Sequence, residues 1–114
     1  MVVHEIAVGD TQTPVGARLK QLGESGVYED VNLANKTVTF KMVAEDGTIV
    51  VDWTPTGVTV VTESEGKVKY DFTAADVDTA GTFYAWFRVT DVNGETDTFP
   101  AGGRKFKIVI YALE

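Results

Sequence analysis

Gly81-Thr82-Phe83-Tyr84-Ala85-Trp86-Phe87-Arg88-Val89-Thr90, followed by Asp91-Val92-Asn93-Gly94, decides how this chain folds. Phe83, Ala85, Phe87 and Val89 alternate with Tyr84, Trp86, Arg88 and Thr90. A period of two places successive side chains on opposite faces of a pleated strand, one row on a core and the other away from it. Asn-Gly tolerates the positive φ of a tight hairpin turn, so a second strand is expected to return immediately.

The same alternation recurs on both sides. Val38, Phe40 and Met42 alternate with Thr37, Thr39 and Lys41, and Asp46-Gly47 supplies another hairpin turn. Val68, Tyr70 and Phe72 alternate with Lys67, Lys69 and Asp71, and Phe106, Ile108 and Ile110 with Lys105, Lys107 and Val109. Gly57 and Gly66 punctuate further runs, and Pro14, Pro55 and Pro100 stand at their edges, where a missing N–H does least harm. The pattern predicts strands near 2–8, 15–22, 36–44, 48–53, 57–63, 66–72, 82–91, 95–99 and 104–112. Thr73 to Ala80 reads as one capped helical turn between sheets, and 23–26 as loop. Eight or nine short strands define an all-β chain, an antiparallel sandwich of immunoglobulin type.

Composition narrows the role. The chain has 114 residues, 17 acidic against 10 basic side chains, a net charge of −7 and no cysteine. The length suits one domain spanning 1–114. Without cysteine there is neither a disulfide nor a thiolate metal site, so packing alone must join the sheets. The acidic balance argues against nucleic acid, which needs clustered cations. No apolar run approaches the roughly 20 residues of a membrane span, and the first residues lack the basic and apolar regions of a secretion signal.

No constellation supports catalysis. The one histidine, His4, falls in the first strand and reads as an exposed strand residue. Asp76 with Asp78, and Glu63 with Glu65, lie beside turns, where carboxylates cap backbone groups rather than face each other across a cleft. Asp-x-Asp falls short of a calcium ligand set. Ala101-Gly102-Gly103-Arg104 lacks phosphate-loop spacing, and Asn35-Lys36-Thr37 is a glycosylation pattern common by chance. The expectation is a non-enzymatic protein with no metal and no cofactor.

The outward row of the 83–90 strand is the unusual feature. Tyr84 and Trp86 leave the core face, and if the last strand neighbours this one, Val109 and Tyr111 join them in a patch rimmed by Arg88, Lys105 and Lys107. Tyr84, Trp86, Arg88, Val109 and Tyr111 are therefore the interface candidates, since aromatic residues and arginine anchor protein interfaces. The competing explanation is that another segment covers this face. Trp53 shares parity with Ile49 and Val51, which fits a core place at least as well as one beside the aromatics.

Gly66-Lys67-Val68-Lys69-Tyr70-Asp71-Phe72, then Asp76-Val77-Asp78-Thr79-Ala80-Gly81-Thr82-Phe83-Tyr84-Ala85, resembles the phage immunoglobulin-like domain known as the N-terminal module of tailed-phage baseplate upper proteins. The likeness extends from about residue 15 to 112, through Asp30-Val31-Asn32-Leu33, Thr37 to Met42, Asn93-Gly94 and Thr98-Phe99-Pro100. It implies a structural protein on the exterior of a virion, working by assembly with capsid, tail or fibre proteins, as a homo-oligomer or in many copies. Three positions depart from the expected pattern. Phe83 stands where many immunoglobulin-like domains place a corner tyrosine, Ala85 where antibody domains place a cysteine, and Tyr84 with Trp86 where the phage family has polar residues. Baseplate upper proteins continue into a helical stalk, so this chain, ending at Glu114, is a stand-alone relative or a part. The alternative is a carbohydrate-binding or adhesion module using the same aromatics.

Overall fold

The computed structural model describes residues 3–12, 14–22, 26–99 and 106–112, and only the backbone of 21, 22 and 28. Two sheets face each other around one core. The larger follows the order β1 (Val3–Ala7), β11 (Phe106–Tyr111), β9 (Gly81–Thr90), β5 (Thr37–Ala44), β6 (Ile49–Thr54), with β10 (Thr96–Phe99) also paired to β9. The smaller is β2 (Val15–Arg18), β8 (Lys67–Tyr70), β7 (Val58–Thr62), and a short hairpin joins β3 (Lys20–Leu22) to β4 (Tyr28–Asp30). This is the immunoglobulin-like sandwich that the alternation predicts.

Three details differ from the sequence reading. The described residues hold eleven strands rather than eight or nine, because the 15–22 run breaks at Leu19 and Tyr28–Asp30 pairs back on it. Leu19 is buried where the chain turns, its N–H donating to the Gly66 carbonyl at 2.8 Å and its carbonyl accepting from Val31 N–H at 2.9 Å. The sheet is not wholly antiparallel, since β1 runs parallel to β11 along Val3↔Lys107 to Ala7↔Tyr111. Finally, Glu63–Glu65 forms a 3-10 turn that closes at Gly66 with φ 65°.

Both Asx-Gly hairpins form. Gly47 N–H donates to Ala44 O at 2.9 Å and Thr48 N–H to the Asp46 carboxylate at 2.9 Å. Hydrogen bonding from Thr48, its backbone N–H first, holds the Asp46 carboxyl below its ordinary value. In the second hairpin Asp91 Oδ1 accepts from the N–H groups of Asn93 at 2.9 Å and Glu95 at 3.0 Å.

Phe40 of β5, from the larger sheet, stacks on Tyr70 of β8, from the smaller, with centroids 4.1 Å apart and planes 11° apart. Phe87 tilts against Phe40 at 5.1 Å, and Phe72 meets Tyr70 edge-on at 5.6 Å. Offset and tilted ring pairs add about 0.5–1.5 kcal/mol beyond area burial, so this column of rings clamps the sheets that a disulfide joins in antibody domains. Ala85, at the cysteine position, is wholly buried.

The corner tether that Phe83 cannot supply comes from the preceding strand. The buried Tyr70 hydroxyl donates to Asp76 Oδ2 at 2.7 Å, and the same oxygen accepts the Thr73 N–H at 2.9 Å. Asp76 lies in the 3-10 turn Ala74–Val77 that carries the chain between sheets, where a single helical turn is expected from the sequence.

Candidate functional site

The outer face of the larger sheet can be laid out from register alone, because directly opposed residues share a face. Phe40, Met42, Ala85 and Phe87 are buried, so their strand neighbours Lys41, Val43, Tyr84, Trp86 and Arg88 point outward. One row runs Ile49, Val43, Tyr84, Lys107, Val3 across five strands. The next sets Lys41 against Trp86, and the next sets Thr39 and Thr98 on either side of Arg88.

Trp53 belongs to this face. Strand parity with buried Val51 allowed a core place, but β6 carries register shifts against β5. Phe40 pairs with Thr54 and Met42 with Val51, so one extra residue is inserted in β6 between them. A bulge of this kind re-aims the side chains beyond it. Trp53 is thereby turned onto the outer row, where its ring lies beneath Arg88, with the guanidinium carbon 3.9 Å from the ring centroid, and within 5.7 Å of Lys41 Nζ. A second shift between Met42 and Val43 brings Ile49, 52% exposed, onto the same face.

Trp53, Trp86, Arg88, Lys41, Val43 and Thr98 line a cleft of about 280 Å³. Its floor is β9, the central strand of the sheet, and β5 beside it. The Arg88 Nε is buried with no hydrogen-bond partner, and its backbone carbonyl accepts from Thr39 Oγ1 at 3.4 Å. Guanidinium stacking on an indole replaces part of the lost hydration. Among the described residues neither Arg88 nor Lys41 forms an ion pair, whereas Arg18, Lys20, Lys67 and Lys69 on the other side all do.

The structure brings together Trp86 and Arg88, with Tyr84 two residues along the same strand, places Val109 diagonal to Tyr84 on the same face, and sets Tyr111 apart. Tyr84 faces Lys107, and Val109 faces Thr82. Tyr111 pairs only with Ala7 of β1, beyond the paired length of β9, and is 50% exposed. Along the strand direction that leaves it about 20 Å from Trp86 at roughly 3.4 Å per residue. Tyr84 and Trp86 point outward but are half-buried rather than exposed. Lys105, expected on the rim, lies outside the described residues, as does the 101–104 glycine run. The sequence reading missed Lys41, Val43 and Thr98. Lys41 could be read as an outward residue of its own strand, but its place beside Trp86 depends on the β5–β9 register, which no hairpin in the sequence announces.

The remaining candidates resolve into structural roles. His4 is half-buried rather than exposed: it shares the inward row with buried Ile6, and its Nε2 is buried without a partner. Burial lowers its pKa below the usual histidine value. Asp76 serves the Tyr70 tether, and Asp78 accepts from Thr79 Oγ1 at 2.9 Å. Glu65 lies 3.4 Å from Lys67 Nζ, beside the Arg18–Asp30 pair, in which Nε and Nη2 reach the two carboxylate oxygens at 2.9 and 2.6 Å. That hydrogen-bonded pairing lowers the Asp30 pKa. Among the described residues no three His, Cys, Asp or Glu side chains converge to hold a metal, and no helix is long and apolar enough to cross a membrane.

No protein-family model matches the chain, and no curated protein does. Among solved structures it is similar to the crystal structure of CopC from Methylosinus trichosporium OB3b, at 14% identity and a TM-score of 0.55, covering 100% of this chain and 88% of that one. At this identity the likeness is one of fold, a second β-sandwich of immunoglobulin-like form.

Proposed function

We propose that this chain is a non-enzymatic structural module of a phage particle, docking on other virion proteins through the outer face of its larger sheet. The observation that carries the docking face is the Arg88 guanidinium stacked on Trp53 with Trp86 in the same cleft. Tryptophan and arginine are the residues that dominate interface energetics, and here they stand on paired strands of a sheet rather than on loops. The virion assignment rests on the resemblance of residues 66–85 to the phage immunoglobulin-like domain.

A sugar platform is the second reading, and one observation weighs against it. Stacking a pyranose needs an open indole face, and one face of Trp53 already holds Arg88.

Mass spectrometry of purified particles, with heads and tails separated, tests the proposal. Presence of the chain in particles, and its loss from them when Trp86 is changed to Ala in a folded variant, is the expected result. Absence from particles, with retention on a glycan array, would replace it with the carbohydrate-binding reading.

A further inference from the structure

We infer that the Trp53–Trp86 cleft receives the acidic 91–97 hairpin of a second copy of this chain, an inference that rests on the assembly reading above. Arg88 and Lys41 enter the cleft without a carboxylate partner among the described residues, on a chain whose net charge is −7. A second copy therefore brings an excess of the groups the cleft lacks.

One segment has the right form. The hairpin after β9 exposes Val92 at 80%, the most exposed large apolar side chain among the described residues. It is flanked by exposed Glu95 and Asp97. The turn is pre-shaped: Asp91 N–H donates to Glu95 O at 2.9 Å, Gly94 N–H to Asp91 O at 3.1 Å, and the Asp91 carboxylate holds two further N–H groups. Little conformational freedom remains to be lost when it docks. Val92 supplies an apolar tip for the cleft, and Glu95 a carboxylate for its cations. Bidentate arginine–carboxylate pairing beside an apolar contact is a geometry with high specificity.

Placement favours a closed pair. The hairpin continues β9 and β10, the strands that carry Arg88 and Thr98 into the cleft. Cleft and tip thus lie along the same pair of strands, and a two-fold rotation lays each tip over the other copy's cleft. Such a contact is self-complementary and stops at two copies.

Sedimentation equilibrium of the purified chain over a wide concentration range reads the self-association constant. Val92→Asp and Glu95→Lys alter only exposed turn side chains and leave the fold intact, and each is expected to weaken association by about tenfold or more. Arg88→Glu is expected to do the same, and Arg88→Glu with Glu95→Arg to recover most of the loss through the reversed pair. A wild-type chain that stays monomeric up to about millimolar concentration, the range of weak association, overturns the inference, as does a dimer indifferent to Val92→Asp and Glu95→Lys. Incorporation into particles is scored separately. A monomer that enters particles in a Trp86-dependent way overturns the second-copy occupant and leaves the assembly reading standing, whereas a hairpin-dependent dimer absent from particles does the reverse.

Discussion

Arg88 lies over Trp53, 3.9 Å from guanidinium carbon to ring centroid, although the two residues stand on strands that are not adjacent. β5 runs between them, and Lys41 of that strand approaches the same ring at 5.7 Å. The side chains therefore reach across a strand, which requires long residues on the outer strands and the re-aimed indole on β6. The contact ties the edge strand to the centre of the sheet and keeps the arginine extended and ordered.

This coupling is measurable. A double-mutant cycle on Trp53→Ala and Arg88→Ala, read by denaturant unfolding, is expected to give an interaction of about 0.5–1 kcal/mol, the usual size for a cation over an indole near a surface. Additive single effects would show that the stack does not form in solution.

Removing the Tyr70 hydroxyl isolates the second tether. Tyr70→Phe retains the ring stack on Phe40 but leaves Asp76 with the Thr73 N–H alone. A hydrogen bond to a charged acceptor contributes about 1.5–3 kcal/mol, and that loss is expected in the unfolding free energy. Burial first, and then the bond to Asp76, raise the Tyr70 pKa above the ordinary phenol value. Spectrophotometric titration should accordingly find one tyrosine that ionises only as the protein unfolds in base.

Gly66→Ala is expected to be the most damaging glycine substitution. Its φ of 65° costs an L-residue about 1–2 kcal/mol, and a Cβ there would stand 2.5 Å from Leu19 O and 3.0 Å from Val31 O. Leu19 O cannot retreat without losing the bond it accepts from Val31 N–H. Gly94→Ala, with a positive φ but nothing within 4 Å, serves as the comparison and is expected to cost less. Equal losses of thermal stability in the two variants would contradict this account.

Mild acid should probe the first strand. His4 is the one histidine, and burial holds its folded pKa below the ordinary histidine value of about 6.5. Below the unfolded pKa the unfolded chain takes up a proton that the folded chain resists. Stability is therefore full above about pH 6.5 and falls as pH drops through that value toward the folded pKa. The melting temperature is expected to decline from pH 7 to 5 and to hold steadier over that window in His4→Gln. The carboxyls lowered by their partners, Asp30 and Asp46, lose their contribution only at more acid pH.

Sequence periodicity revealed most of the sandwich because burial on one face writes itself as alternation. Phe83, Ala85, Phe87 and Val89 are all buried, as the pattern requires. It failed where backbone irregularity resets the count. No residue type announces the extra residue in β6, so parity left Trp53 undecided until the register with β5 was known. The break at Leu19 escaped for a similar reason, since an apolar residue inside a β-like run gives no sign that its hydrogen bonds go to Gly66 and Val31. Arg88 and Trp86 were legible as outward residues, but the cations beside them depend on cross-strand neighbours, which periodicity along one strand does not contain.

The two register shifts in β6 have a consequence for the end of the sheet. β6 ends its sheet, and an end strand normally offers a regular ladder of unpaired N–H and C=O groups on which another chain can extend the sheet. Doubly interrupted spacing spoils that ladder within six residues. The β6 edge is therefore a poor template for extending the sheet from one chain into another.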